Sequence, residues 1–210
     1  MYLKIKRVGD ILLSFFSLIL LSPFYIIIII AIKIDSKGPI LFKQKRIGKN
    51  KREFYILKFR TMKIDTPKDT PTHLLKEPDQ YITKVGKFLR KTSLDELPQV
   101  WNIFIGQMSI IGPRPALWNQ YDLIEERDKY NANDILPGLT GWAQINGRDE
   151  LSIKVKAELD GYYVENRNFL LDIKCFYRTL ISVSKAEGVV EGNKSNHSLD
   201  KPTTQGDISE

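Results

Sequence analysis

Residues Ile11 to Ile32 read ILLSFFSLILLSPFYIIIIIAI, 22 residues without a charge, bounded by Asp10 and Lys33. At about 1.5 Å per residue such a run is long enough to cross the hydrocarbon of a bilayer. A core helix of a small water-soluble domain is rarely apolar all round for so long. A secretory signal is one rival, but the run exceeds the usual core of about 7–15 residues and no small-x-small cleavage site follows it. A straight span is the second. Against it, Pro23 stands mid-run, where it removes a backbone donor and crowds the carbonyl of Ile19. Ser22 can back-bond that freed carbonyl, which makes a bend tolerable in lipid. Both flanks are also basic: Lys4, Lys6 and Arg7 precede the run, and Lys33, Lys37, Lys43, Lys45, Arg46, Lys49, Lys51 and Arg52 follow it. The positive-inside tendency then assigns both ends to the cytoplasmic side. The expectation is a re-entrant hairpin: a helix of 12 residues, a bend at Ser22-Pro23, and a second helix of 10.

Outward from this run, the charge is unevenly placed. Up to Lys63 there are 14 Lys and Arg against three acids (Asp10, Asp35 and Glu53), net +11; from Ile64 onward it is 18 against 22, net −4. The overall +7 of the 210 residues is therefore a collar around an apolar hairpin. It points to an anionic lipid surface and not to nucleic acid. The single cysteine, Cys175, excludes a disulfide scaffold. With only His73 and His197 beside it, no zinc cluster can be assembled from the usual ligands and no histidine-based nucleophile is supported.

Past the hairpin, Ile40–Arg46 (ILFKQKR) and Phe54–Met62 (FYILKFRTM) alternate apolar and polar residues around a turn at 48–52, and read as paired strands. Asp65–Pro78 reads as a Pro-rich loop, Ile82–Lys91 as a short helix, and Ser93 onward (SLDELPQVWNIFIGQMSI) as a second helix with an apolar face. Gly112–Pro115 (GPRP) is a rigid turn, Pro137–Arg148 a glycine-rich loop, and Ser152–Ser184 one or two amphipathic helices. From Glu191 the chain is polar without apolar periodicity, and reads as a disordered tail. The expected fold class is α+β, mainly helical: an anchor over 1–35, a small cytosolic catalytic domain over 36–190 with amphipathic helices at the membrane interface, and a tail over 191–210.

Asp95 and Glu96 are adjacent acids at a helix start. Ser93-x-x-Glu96 is a capping box, and acids are stabilised at a helix N-terminus in any case; Pro98, a first-turn residue, would instead start the helix near Leu97 and leave both acids on the turn before it. The chemical alternative is a division of labour. One carboxylate attacks phosphorus while the other holds Mg²⁺ on phosphates. Arg114 between Pro113 and Pro115 is a guanidinium on a fixed mount, suited to phosphate or a base edge, unless the turn merely ends a helix. Gly138, Gly141 and Gly147 would permit close backbone approach, with Arg148 as a second anion clamp or Trp142 as the anchor of a packed loop. Lys58 and Arg60, two apart on a strand, share a face that is either functional or simply solvated.

In this order the stretches resemble the monotopic phosphoglycosyl transferases, a bacterial sugar transferase family. The resemblance runs through Lys6-Arg7, Ser22-Pro23, Phe42–Gly48, Lys58–Met62, Ser93–Gln99, Met108-Ser109, Gly112–Pro115, Pro137–Arg148, Glu158–Asp160 and Tyr162-Tyr163. It implies transfer of a sugar-1-phosphate from a UDP-sugar to undecaprenyl phosphate, with release of UMP, at the cytoplasmic face of the bacterial inner membrane. By that resemblance Asp95 is the nucleophile of a covalent two-step cycle, Glu96 with Asp95 binds Mg²⁺, and Arg114 with Pro113 and Pro115 meets the nucleotide. Lys58, Arg60, Arg148 and Asp160 fall at or near the substrates. Larger members carry extra membrane helices before this core. Lys91–Ser93 and Pro115–Tyr121 look like members serving capsule, exopolysaccharide or glycoconjugate assembly, often with deoxy N-acetylated sugars, where downstream glycosyltransferases would be partners. Two rival functions stand beside it: a metal-dependent phosphohydrolase of nucleotide sugars, and a non-catalytic membrane-anchored interaction protein whose acids are only caps.

Overall fold

In the computed structural model, which describes residues 2–66, 80–147 and 151–184, the apolar run lies in two helices. They are α1 (Tyr2–Leu20) and α2 (Ser22–Asp35), and they meet at 60°. The bend has the expected cause. Pro23 has no amide proton for the Ile19 carbonyl, and Ser22 Oγ donates to that oxygen instead, at 2.7 Å. Among the described residues no single helix is long and apolar enough to cross a membrane, whereas the bent pair together is. Both arms leave large apolar side chains exposed, Leu13, Phe16, Leu20, Phe24, Ile27 and Ile34 among them. So continuous an apolar surface marks an interaction with something other than water.

Two antiparallel strands follow, β1 (Leu41–Ile47) and β2 (Glu53–Phe59), in a register running from Leu41↔Phe59 to Ile47↔Glu53. The alternating pattern predicts this pair, but β2 stops at Phe59, three residues before Met62. Next come α3 (Lys84–Lys91), a single 3₁₀ turn over Leu94–Glu96, and α4 (Gln99–Phe104). The continuous helix expected from Ser93 is thus replaced by a turn, a six-residue helix and a strand, β3 (Ser109–Ile111). After α5 (Tyr121–Asp128), the stretch read as a glycine-rich loop instead supplies β4 (Gly138–Thr140), parallel to β3, and α6 (Trp142–Ile145). A Cβ on Gly138 would run into the backbone of Gly112. Gly138 and Gly141 therefore allow backbone to pack on the backbone of Gly112, whereas Gly147 lies against the Leu151 side chain. The chain continues through α7 (Ile153–Asn166) and α8 (Phe169–Ser184); of the one or two amphipathic helices anticipated, α8 is one and exposes Phe169, Leu170, Ile173, Tyr177 and Leu180, whereas α7 buries Asp160 and Gly161 beside Ala157 and Tyr163. Most of the Pro-rich loop, both histidines, Arg148 and the tail lie outside the described residues.

The hairpin is built into the rest of the protein. Ile28 and Ile32 on α2 share a core with Phe59 and Leu89, and Asp35 caps α3 by accepting from the Val85 amide at 2.9 Å. At the start of α1, Arg7 donates to the carbonyls of Ile103 and Phe104 at 2.7 and 3.0 Å, satisfying the C-terminal end of α4. Asp10 accepts from the Ile110 amide at 3.1 Å, while Lys6 and the Tyr2 hydroxyl both donate to Asp172 on α8. Lys6 and Arg7 are therefore internal docking residues, not part of a lipid-facing collar as their position in the sequence suggests. This docking also makes α1 and α2 19 and 14 residues long, each exceeding its part of the uncharged run. Two further clusters complete the core: Phe54, Ile56, Ile103 and Met108 between β2 and α4, and Ile111, Tyr163, Leu171 and Cys175 under α7 and α8.

Candidate active site

Leu94–Glu96 lies where α2, α3 and β2 converge, with Leu94 and Leu97 packed against the core formed by Ile28, Ile32, Phe59 and Leu89. α3 ends at Lys91 with Thr92 as its C-cap, and Ser93 then adopts a left-handed backbone, φ 56°, which turns the chain sharply. In that conformation the Ser93 side chain caps nothing. The capping box legible in the sequence is not formed, because Pro98 stands at the cap of α4 and starts the helix there. Asp95 and Glu96 are thereby released from a capping duty. The turn is pinned from α2 as well, since the Tyr25 hydroxyl donates to the Leu97 carbonyl at 2.8 Å.

Lys58, at the end of β2, and Arg114, on the GPRP turn, close on the acids from two directions. Glu96 Oε1 accepts from Lys58 Nζ at 2.8 Å and from Arg114 Nη2 at 2.7 Å. Lys58 Nζ also lies 3.8 Å from Asp95 Oδ2. Asp95 itself makes no hydrogen bond to another described residue. The two carboxyls consequently titrate in opposite directions. Burial raises the Asp95 carboxyl, helped by the neighbouring Glu96 charge and only partly opposed by Lys58, Arg90 and Arg114. For Glu96 burial pushes the same way and is the largest single influence, but Arg114 and Lys58 together outweigh it and hold the group well below the usual carboxylate range.

The remaining expected residues divide. Pro113 and Pro115 are backbone mounts: the Pro113 carbonyl accepts from Gly138 N at 2.8 Å and the Pro115 carbonyl from Arg46 Nη1 at 3.0 Å. Arg60 does not share a working face with Lys58. β2 has already ended, and Arg60 is buried with Nη2 donating to the backbone and hydroxyl oxygens of Ser36, just past α2. Asp160 is also buried, its Oδ2 accepting from Arg127 Nε at 2.8 Å. Tyr25, Asp35, Arg46 and Arg127 are positioning groups that no local sequence signal separates from ordinary core or surface residues. Among the described residues no three His, Cys, Asp or Glu side chains are placed to hold a metal. The Asp95–Glu96 pair supplies two carboxylates, a donor set that suits Mg²⁺ only when phosphate oxygens and water complete it.

The family described as bacterial sugar transferase matches residues 1–186. The chain belongs to that family. This sugar transferase is 38% identical to a sugar transferase of Bacillus subtilis (strain 168) named EpsL, over 98% of each chain. It is 38% identical to the UDP-glucose:undecaprenyl-phosphate glucose-1-phosphate transferase of Klebsiella pneumoniae, covering 83% of this chain and 39% of that one. It is 36% identical to the UDP-N-acetylgalactosamine-undecaprenyl-phosphate N-acetylgalactosaminephosphotransferase of Aeromonas hydrophila, covering 87% and 44% respectively. The sugar transferase thus spans the whole of one relative and less than half of the two whose names state a reaction.

Proposed function

We propose that this sugar transferase moves a sugar-1-phosphate from a UDP-sugar to undecaprenyl phosphate, releasing UMP, through a covalent intermediate on Asp95. The observation that carries the reading is the contrast between the two acids: Glu96 Oε1 accepts from both Lys58 and Arg114, while Asp95 beside it is half-buried, makes no hydrogen bond to another described residue and has Lys58 Nζ 3.8 Å away. In the first step an Asp95 carboxylate oxygen attacks the phosphorus that bears the sugar, and the bond from that phosphorus to the bridging oxygen breaks, so that UMP leaves with its electron pair. In the second step an oxygen of undecaprenyl phosphate attacks the same phosphorus, the aspartyl–phosphorus bond breaks, and the Asp95 carboxylate returns. Lys58 and Arg114 oppose the negative charge carried by the phosphoryl group and the leaving nucleotide. Asp95 and Glu96 would hold Mg²⁺, which when bound neutralises charge on the diphosphate.

The bent helix pair suits the acceptor. An isoprenoid tail stays in the leaflet while its phosphate sits at the headgroup plane, so the site must be held at that plane on the cytoplasmic side of the cell membrane. A re-entrant hairpin, the exposed apolar face of α8 and the basic residues beyond the hairpin, at about 1 kcal/mol each near an anionic surface, do this without a second span. The two relatives whose names state a reaction act on different sugars, glucose and N-acetylgalactosamine, and the class expected for this chain is a deoxy N-acetylated hexose for capsule or glycoconjugate assembly. UMP release from a panel of UDP-sugars, in detergent with undecaprenyl phosphate, tests the reaction. One donor should give UMP and a lipid-linked diphosphate sugar, and Asp95→Asn should give neither. Free sugar phosphate formed without the lipid would identify a hydrolase instead.

A further inference from the structure

Arg114 reaches Glu96 from a turn whose successive carbonyl oxygens are each taken by a different element. The Pro113 carbonyl accepts from Gly138 N on β4, at 2.8 Å. The Arg114 carbonyl accepts from Arg127 Nη1 on α5, at 3.0 Å, and the Pro115 carbonyl from Arg46 Nη1 on β1, at 3.0 Å. The prolines fix φ on either side of Arg114. Of these three donors only Arg127 grips the backbone of Arg114 itself, and Arg127 is in turn fixed. Its Nε and Nη2 both donate to Asp160 Oδ2 on α7, and the two side chains are only 4% and 1% exposed.

We propose that Arg127, held by Asp160, is a positioning residue for the transfer: it sets the main chain of Arg114 so that the guanidinium meets Glu96 and the donor's diphosphate. A buried ion pair contributes little net stability, because desolvation offsets the attraction, but it does supply a fixed direction. The planar guanidinium uses that direction twice, sending Nε and Nη2 to Asp160 and Nη1 to the Arg114 carbonyl. A lysine would keep the charge and lose the fork. Asp160 thus influences the site through Arg127 and Arg114, without contact to substrate.

This inference rests on the role of Arg114 proposed above, and a double-mutant cycle separates the two. UMP release would be measured against donor and lipid concentration for the full chain in detergent, for Arg127→Lys, Arg114→Ala and the pair. The expected result is a loss in kcat/KM for the donor on the order of 10- to 100-fold in Arg127→Lys, as for a displacement of about 1 Å at a site, with the KM for undecaprenyl phosphate unchanged. In the Arg114→Ala background the same change should cost less than about 2-fold, because the group it positions is gone. Equal losses in both backgrounds would overturn the positioning role while leaving the proposed reaction intact. A silent Arg114→Ala would overturn the role of Arg114 and, with it, the positioning role of Arg127. If Arg127→Lys fails to fold, Asp160→Asn, which retains an acceptor for Arg127, runs through the same cycle with the same two outcomes.

Discussion

Exchanging Asp95 and Glu96 in turn for their amides should move stability in opposite directions although the residues are adjacent. Asp95 titrates above its ordinary value in the folded protein because it is buried. A group whose folded value is raised stabilises the fold below its unfolded value and withdraws that contribution as pH rises through the folded one. At neutral pH an ionised Asp95 therefore costs stability, and Asp95→Asn removes the cost. Glu96 is the reverse case. Held low by Arg114 and Lys58 against its burial, it adds stability above the unfolded value and loses it only as pH falls through the folded one. Glu96→Gln leaves both cations facing a neutral amide. Breaking a fully buried pair costs about 3–5 kcal/mol and an exposed one under about 1. With Glu96 19% and Arg114 39% exposed at the side chain, the loss should be about 2 kcal/mol, or about 4–8 °C in Tm for a chain of this size. Thermal unfolding in detergent at neutral pH, followed by tryptophan fluorescence, should place Asp95→Asn at or above wild type and Glu96→Gln below it. If Asp95→Asn lowers the midpoint as far as Glu96→Gln does, the division between the two acids is wrong.

Three further outcomes follow from the same geometry. UMP release should be lost on acidification at a pH above the ordinary carboxylate value of 3.8, as Asp95 takes up its proton while Glu96 stays ionised; a profile flat down to that value would contradict the raised nucleophile. Chelation of divalent cations should stop turnover and Mg²⁺ should restore it, and activity undiminished by chelation would remove the ion from the site. Single cysteines at Leu3 and Lys37, in a Cys175→Ser background, should react with an impermeant thiol reagent from the same side of sealed vesicles; reaction from opposite sides would show a broken span in place of a re-entrant hairpin.

The parts of this protein legible from its sequence are those determined by neighbouring residues. Pro23 and Ser22 specify the bend because the broken hydrogen bond and its replacement lie within one helical turn. The β1–β2 pair is readable because its alternation spans a whole strand. β3 and β4 are three residues each, too short for any period, and exist because Gly112 and Gly138 let distant backbones meet. Of the residues the sequence points to, Asp95, Glu96, Lys58 and Arg114 converge, Arg60 and Asp160 pair elsewhere with Ser36 and Arg127, and Arg148 lies outside the described residues. The capping box in the sequence misleads, since Ser93 turns left-handed and Pro98 starts the helix. Arg127 stands in the charged stretch EERDK and reads as solvated surface; only the packing of α5 on α7 buries it. Lys6, Arg7 and Asp10 were opaque for the same reason, their partners lying far along the chain.

The central claim, that Asp95 carries the phosphosugar between donor and lipid, is tested most directly by mass spectrometry of the peptide containing Asp95 after incubation with the UDP-sugar alone. The account predicts a mass increment of one phosphosugar on that peptide, absent in Asp95→Asn and discharged on adding undecaprenyl phosphate. An unmodified Asp95 peptide from enzyme shown to be turning over would contradict it.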